Sequence, residues 1–268
     1  MTTFDVRGPV RLRLAVPAGR VEVEPGEDDR VEVELRALRN DDATTRAVEA
    51  TRVDAVERGG GHEIRVEVPR REGGLLSLAR QAKVGVRVRC PSGSDVDVDS
   101  ASADLDLRVD CGAVSVKTAS GDVTAGRVGA LSVTSASGDV AVASVDRDLS
   151  VKTASGDVVA QAVAGVAKVH SVSGDVKLGR VSASCTVGTV SGDLEIESLA
   201  SGGLRANAVS GDVDVAVQGG LRLWIDAQSV SGSMRSDLDL GDAPSADGGD
   251  VVELRIRTVS GDVHIRRC

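Results

Sequence analysis

Ser, Gly and Asp recur together along this chain, and a carboxylate returning at even spacing could bind cations, move protons or close turns. SGDV stands at 120–123, 137–140, 155–158, 173–176, 210–213 and 260–263, and SGDL at 191–194. The aligned carboxylates are Asp104, Asp122, Asp139, Asp157, Asp175, Asp193, Asp212 and Asp262, with Ser233 in the one gap. Calcium takes about six to eight oxygens, so one Asp and one Ser per repeat supply too few unless adjacent repeats share an ion. The calcium-binding nonapeptide carries a glycine doublet and a shorter period; neither is present. The reading preferred on chemistry is a corner, with Gly at positive φ and Ser and Asp bonding nearby backbone. Carboxylates stacked about 4.8 Å apart repel by roughly 1 kcal/mol in water, which local N–H donors can offset.

Other reactive groups are sparse. Lys117, Lys152 and Lys177 are expected on an outer face, where a solvated surface paired with Asp or Glu explains them. The SGD serines have no accompanying His column, so no triad is expected. Phe4 and Trp224 are the only aromatic platforms a sugar would find. No nucleophile elbow, phosphate loop or metal-binding helix motif appears. His62, His170 and His264 are scattered, and Cys90, Cys111, Cys185 and Cys268 lack CxxC spacing. That fits neither a zinc site nor a disulfide framework, and suits a reduced compartment. We therefore expect no enzyme, no catalytic, cofactor-binding or metal residues and no small-molecule ligand.

With a net charge of −9 and almost no aromatics, nucleic acid is not an expected partner. The opening MTTFDVRGPVRLRL has no apolar stretch of signal-peptide length, and no later stretch reaches about 18 apolar residues. No integral membrane segment is expected. The location that follows is cytoplasmic, with peripheral association with the envelope left open.

The elements that must hold these residues follow from the repeat. Aligned on Ser-Gly-Asp, the units begin with DVDSASADL (97–105) and end with RIRTVSGDV (255–263). Early anchors lie 17 or 18 residues apart, and the last gaps widen to 19, 21 and 29. Within one unit the apolar positions are Val123, Ala125, Val128, Leu131, Val133, Ala136 and Val140. Steps of two mean a short strand facing inward; steps of three or four mean a corner. Two or three strands in about 18 residues describe one coil of a β-solenoid. The expected fold is all-β, single-stranded, with columns of like residues inside. One column is Val98, Val116, Val133, Val151, Val169 and Val187. Another runs Leu105, Val123, Val140, Val158, Val176, Leu194, Val213, Met234 and Val263. Nine such registers would give a prism roughly 40 Å long. The corner is expected to point Ala inward, bond through Ser and Asp, bend at Gly and return at Val. The 41% apolar content, with no Tyr, suits such a narrow interior.

Residues 1–90 lack the motif yet alternate, as in Val21/Val23, Val31/Val33/Leu35, Ile64/Val66/Val68 and Val84/Val86/Val88. They read as an antiparallel β-rich cap, with the solenoid over 91–268. Residues 42–57 suggest a helix capped by Asp42 and stopped at 59–61. Residues 70–82 break the pattern, with Leu75, Leu76 and Leu78 as a loop or docking patch. At the far end 241–250 reads as a polar loop. VVELRIRTVSGDVHIRRC then reads as the last coil, with Arg266 and Arg267 charging an open edge suited to assembly.

Four features together, in order, resemble the toastrack family of bacterial β-strand-repeat proteins, a candidate-adhesin group. They are FDVRGPVRLRLAVPAGRVEVEP, the tandem SGDV units, LRLWIDAQSVSGSMRSDLDL (221–240) and VVELRIRTVSGDVHIRR. The resemblance implies a right-handed single-chain β-helix and no catalytic residues, and some members accompany envelope-stress proteins. The function expected is a non-catalytic scaffold that binds protein partners or itself. The competing expectations are an adhesin-like module for an envelope or carbohydrate ligand, and a cryptic polysaccharide enzyme.

Overall fold

The computed structural model describes residues 1–58, 61–69, 81–238 and 251–268. Among these it is β-structure with one short helix, organised in two compact units, Met1–Asp139 and Val140–Cys268.

The first unit contains β1 (Thr2–Asp5), β2 (Arg11–Pro25), β3 (Arg30–Ala37), α1 (Asp42–Glu49), β4 (Arg52–Arg58), β5 (Gly61–Glu67), β6 (Val84–Cys90), β7 (Asp95–Leu107), β8 (Cys111–Lys117) and β9 (Val123–Thr134). β1 with β3, β3 with β6 and β4 with β5 are antiparallel, as the alternation predicts. β2 departs from that pattern. It runs parallel to β5, to β6 and, from Arg11↔Asp95 to Val23↔Leu107, to β7. It is thus stacked like a solenoid coil without carrying the motif. Leu12, Leu14, Val16, Val21 and Val23 point inward and are fully buried against their counterparts on β7, so alternation alone suffices to stack a coil. β7 pairs with β8 and β9, putting Val98, Val116 and Val133 in one column and Leu105 with Val123 in another.

The helix is shorter than expected. Asp41, not Asp42, is its cap, accepting the Thr44 N–H at 2.7 Å, and it ends at Glu49. Residues 52–58 are a strand instead, with Val53 opposite Val66 and Ala55 opposite Ile64. Cross-strand apolar pairs outweigh the thin apolar face that a continued helix would bury. The expected stop at Gly59 and Gly60, most of the 70–82 segment with Leu75, Leu76 and Leu78, and the loop 241–250 lie outside the described residues.

The second unit contains β10 (Val140–Val145), β11 (Leu149–Ser155), β12 (Val158–Val163), β13 (Ala167–Ser173), β14 (Val176–Val181), β15 (Cys185–Ser191), β16 (Leu194–Leu199), β17 (Gly203–Ser210), β18 (Val213–Val217), β19 (Arg222–Ser231), β20 (Met234–Ser236), β21 (Val251–Ser260) and β22 (Val263–Arg267). From β11 onward each coil is two strands joined at the motif, and all pairings between coils are parallel. Val151, Val169, Val187, Ala206, Ile256 and Ala227 form one inward column. Val140, Val158, Val176, Leu194, Val213, Val263 and Met234 form another.

One ordering differs from the chain order. β21 pairs with β17 on one side and β19 on the other, and β22 lies between β18 and β20. The coil ending near Arg266 and Arg267 is therefore interior, and the coil 222–236 is outermost. Inward composition explains the exchange. Val252, Leu254, Ile256, Val263 and Ile265 are all buried on both sides. The outer coil sets Leu223 and Ile225 beside Val252 and Leu254, but Ala227 beside Ile256 and Ser236 beside Ile265, and these two smaller or polar residues lose less by facing one neighbour only.

Candidate functional site

At each Ser-Gly-Asp corner the chain turns, and the Asp N–H leaves the main-chain ladder. A carboxylate from the preceding coil receives it. The Asp175 N–H donates to Asp157 Oδ1, Asp193 to Asp175, Asp212 to Asp193 and Asp262 to Asp212, each at 2.8 Å. In the first unit Asp122 donates to Asp104 at 3.3 Å and Asp139 to Asp122 at 3.0 Å. Reciprocally, the Val158 N–H donates to the Asp175 carbonyl and the Val176 N–H to that of Asp193. Each corner is a two-bond clamp between coils. The same device appears away from the motif, where Asp95 Oδ1 accepts the Ala113 N–H at 2.7 Å and Asp148 Oδ1 that of Val166 at 2.9 Å.

Ser and Thr at the position two before the motif's serine face inward, correcting the expectation that Ala does. Ser135, Thr153, Ser171, Thr189 and Thr258 are buried, whereas Ala119, Ala136 and Ala154 are exposed. Alternation from Val133 or Val151 sets that parity. Two of these hydroxyls bond the corner, Thr153 Oγ1 donating to the Ser155 carbonyl at 2.8 Å and Ser171 Oγ to that of Ser173 at 3.1 Å, while those of Ser135, Thr189 and Thr258 are buried without a hydrogen-bond partner. Glycine is required by both conformation and space. Gly192 has φ +130°, and a Cβ there would collide with the carbonyl of Gly174 in the preceding coil.

The clamp predicts a modest structural effect for its carboxylate. Asp175→Ala should cost about 1–2 kcal/mol by orphaning the Asp193 N–H, and Asp175→Asn, which keeps an acceptor, about half that or less. Thermal melting with and without calcium checks it; the wild-type curve should not move, and a calcium-dependent rise lost in Asp157→Ala would instead mark a cation ladder.

The remaining candidates separate. Lys177 sits between Glu195 at 3.1 Å and Glu197 at 3.0 Å, and its hydrogen bonds to Glu197 and then Glu195 push its pKa up. Lys117 borders a depression of about 440 Å³ with Arg13, Arg65, Glu67, Asp97 and Asp99. Lys152 lies beside His170 on the neighbouring strand. His264 contacts Asp237 at 2.8 Å and Asp214 at 3.3 Å, which raises its pKa, chiefly through the hydrogen bond to Asp237. Burial pushes the thiols of Cys90 up to about 11 and of Cys111 and Cys185 up to about 12; Cys268 is exposed. Among the described residues no three His, Cys, Asp or Glu side chains are grouped to hold a metal ion, and no helix is long and apolar enough to cross a membrane.

Two surfaces escaped the sequence reading. On the first unit Arg87 lies between Glu22 at 2.9 Å and Glu34 at 3.9 Å, and Arg89 between Glu24 and Glu32, both at 3.4 Å. One row along, the central residue is Gly85, flanked by Arg20 and Arg36 and covered by Leu38, beside a depression of about 360 Å³. The signal was the alternation of VEVEP, RVEVELR and VGVRVRC, read as strands without its charge signs. On the second unit the residue before each motif serine faces solvent. Val172, Val190, Val209 and Val259 are 45–51% exposed and Val230 is 83% exposed. The register Ser173, Ser191, Ser210, Ser260, Ser231 sets these valines in line. The change from ASGD to VSGD along the repeats was the available sign.

No curated protein matches the chain. Similar solved structures include a candidate lipid-binding protein from Parabacteroides distasonis, 11% identical with a TM-score of 0.45, covering 100% of this chain and 95% of that one. A candidate adhesin from the same organism is 14% identical with a TM-score of 0.38, covering 98% and 95%. Another, from Bacteroides fragilis, is 12% identical with a TM-score of 0.35, covering 100% and 95%. The model of the family described as Toastrack DUF4097 matches residues 11–266, which spans both units and every clamp, and the chain belongs to that family.

Proposed function

We propose that this chain is a non-catalytic scaffold whose work is binding other proteins or itself. The observation that carries the reading is the valine column of the second unit, Val172, Val190, Val209, Val259 and Val230, a row of apolar side chains held in solvent. Single exposed apolar residues are ordinary, but a contiguous row of them favours an interaction surface. The motif's own polar groups are spent in holding coil to coil, which favours a structural over a reactive role for Ser, Gly and Asp. A reduced, cytoplasmic site of action is part of the proposal, consistent with three buried free thiols.

The test places a photo-crosslinking residue at Val209 in the producing cells. Discrete protein adducts, lost when Val190 and Val259 are replaced by Ser, are expected. Absence of adducts, or release of reducing ends from a panel of polysaccharides by the purified chain, overturns the reading.

A further inference from the structure

Among the described residues, no element covers the outer side of β19 and β20 in the second unit. In the coils beneath, Leu204 is 2% exposed, Ala206 1%, and Leu254 and Ile256 0%. On β19 the equivalent Leu223, Ile225 and Ala227 are only half-buried, and Met234 on β20 is 54% exposed. β19 pairs with β21 and β20 with β22, and no other described strand meets their outer edges. An edge with free N–H and C=O groups and an open apolar column is a template for another strand.

Two features say which strand. The first is the missing carboxylate. In the second unit Asp157, Asp175, Asp193 and Asp212 each receive the N–H of the coil stacked on them, and Asp262 receives the Ser233 N–H at 2.7 Å. The outer coil itself carries Ser233 where the clamp for a further parallel coil would be. The edge is not built to extend the parallel stack. The second is its charge pattern. Arg222, Trp224 and Asp226 share the outward face of β19, with Leu223 and Ile225 inward between them. An antiparallel copy centred on Trp224 puts Arg222 opposite the copy's Asp226, and Leu223 opposite its Ile225. Inward residues stay inward, because that register conserves parity. Opposite charges directly across a strand pair favour this alignment.

We infer that the β19 edge pairs antiparallel with β19 of a second copy, giving a closed two-fold dimer centred on Trp224. The inference rests on the interaction reading above and names one of its partners. An isologous edge closes on itself, whereas a parallel head-to-tail contact would grow into fibres.

The test is sedimentation velocity of the full 268-residue chain over a wide concentration range, followed also by the emission of Trp224, its only Trp. A monomer–dimer equilibrium with a blue shift on dimerisation is expected. Asp226→Arg should raise the dissociation constant by about tenfold or more, by setting Arg against Arg222. The double variant Arg222→Asp with Asp226→Arg should restore it. Far-ultraviolet circular dichroism and melting of each variant distinguish lost pairing from lost folding. A monomer at every concentration overturns the inference, as does a monomer whose β19 amides resist hydrogen exchange because the chain covers its own edge. So do open polymers, and a dimer indifferent to Asp226→Arg. None of these removes crosslinked adducts at Val209, so the scaffold reading stands or falls separately.

Discussion

Val169→Asp should unfold the second unit under conditions where the parent chain is folded. Val169 is fully buried, with Val151 above and Val187 below it in an apolar column that holds no cation to pair with a carboxylate. A carboxylate there must either ionise unpaired or be protonated at the expense of its usual pKa, and either costs several kcal/mol. In a stacked architecture the loss does not stay local, since each coil buries its inward face only against the next. The expected result is loss of more than about 4 kcal/mol, beyond the range of ordinary point variants, read as a collapse of the denaturation midpoint. Val169→Ala, which leaves a small gap, should cost about 1–3 kcal/mol and keep a cooperative transition. A near-parental melt for Val169→Asp would contradict the column.

Gly192→Ala is the second large effect, and its cause is different. The residue sits at φ +130°, where an L side chain is strained, and the added Cβ points at the Gly174 carbonyl. Strain of about 1–3 kcal/mol and overpacking of about 1–3 kcal/mol combine, because neither can relax without parting the coils. Chemical denaturation should show a loss of about 3–5 kcal/mol. Gly219→Ala makes the comparison: nothing lies within 4 Å of a Cβ there, so the same substitution should change stability by less than about 1 kcal/mol. Equal effects at the two positions would mean that the corner's tightness is not what glycine serves.

Much of this structure is legible in the sequence, and particular residues show why. The columns through Val98, Val116 and Val133, and through Val151, Val169 and Val187, follow from a motif that pins the register of every unit. Parity near the corner was not legible. Ala136 looks like core by hydropathy and Ser135 like surface, but the strand continues its alternation past Val133 and buries the serine. A two-residue period decides burial there; polarity does not, and the Ser135 hydroxyl is buried without a hydrogen-bond partner, unlike those of Thr153 and Ser171. β2 was hidden for the opposite reason. It stacks by alternation alone, without a motif to betray it as parallel. The clamp itself was foreseen only as a local turn bond. Its true partner is the next coil, about 18 residues away, which single-unit reasoning cannot supply.

The placement of β21–β22 between β17–β18 and β19–β20 also constrains how the molecule can be made. Elsewhere in the second unit a coil finds its seat on the one just completed, about 18 residues back. Here the Asp262 N–H must find Asp212, 50 residues earlier, and closing that longer loop costs about 1 kcal/mol more in chain entropy. The coil 222–236 is synthesised first, yet its native seat, 251–267, arrives after it. Coil-by-coil growth of the second unit is therefore interrupted once, and a strand holding Leu223, Trp224 and Ile225 lacks its native neighbour meanwhile. Cutting the chain after residue 250 would accordingly remove the floor of the outermost layer rather than trim a tail.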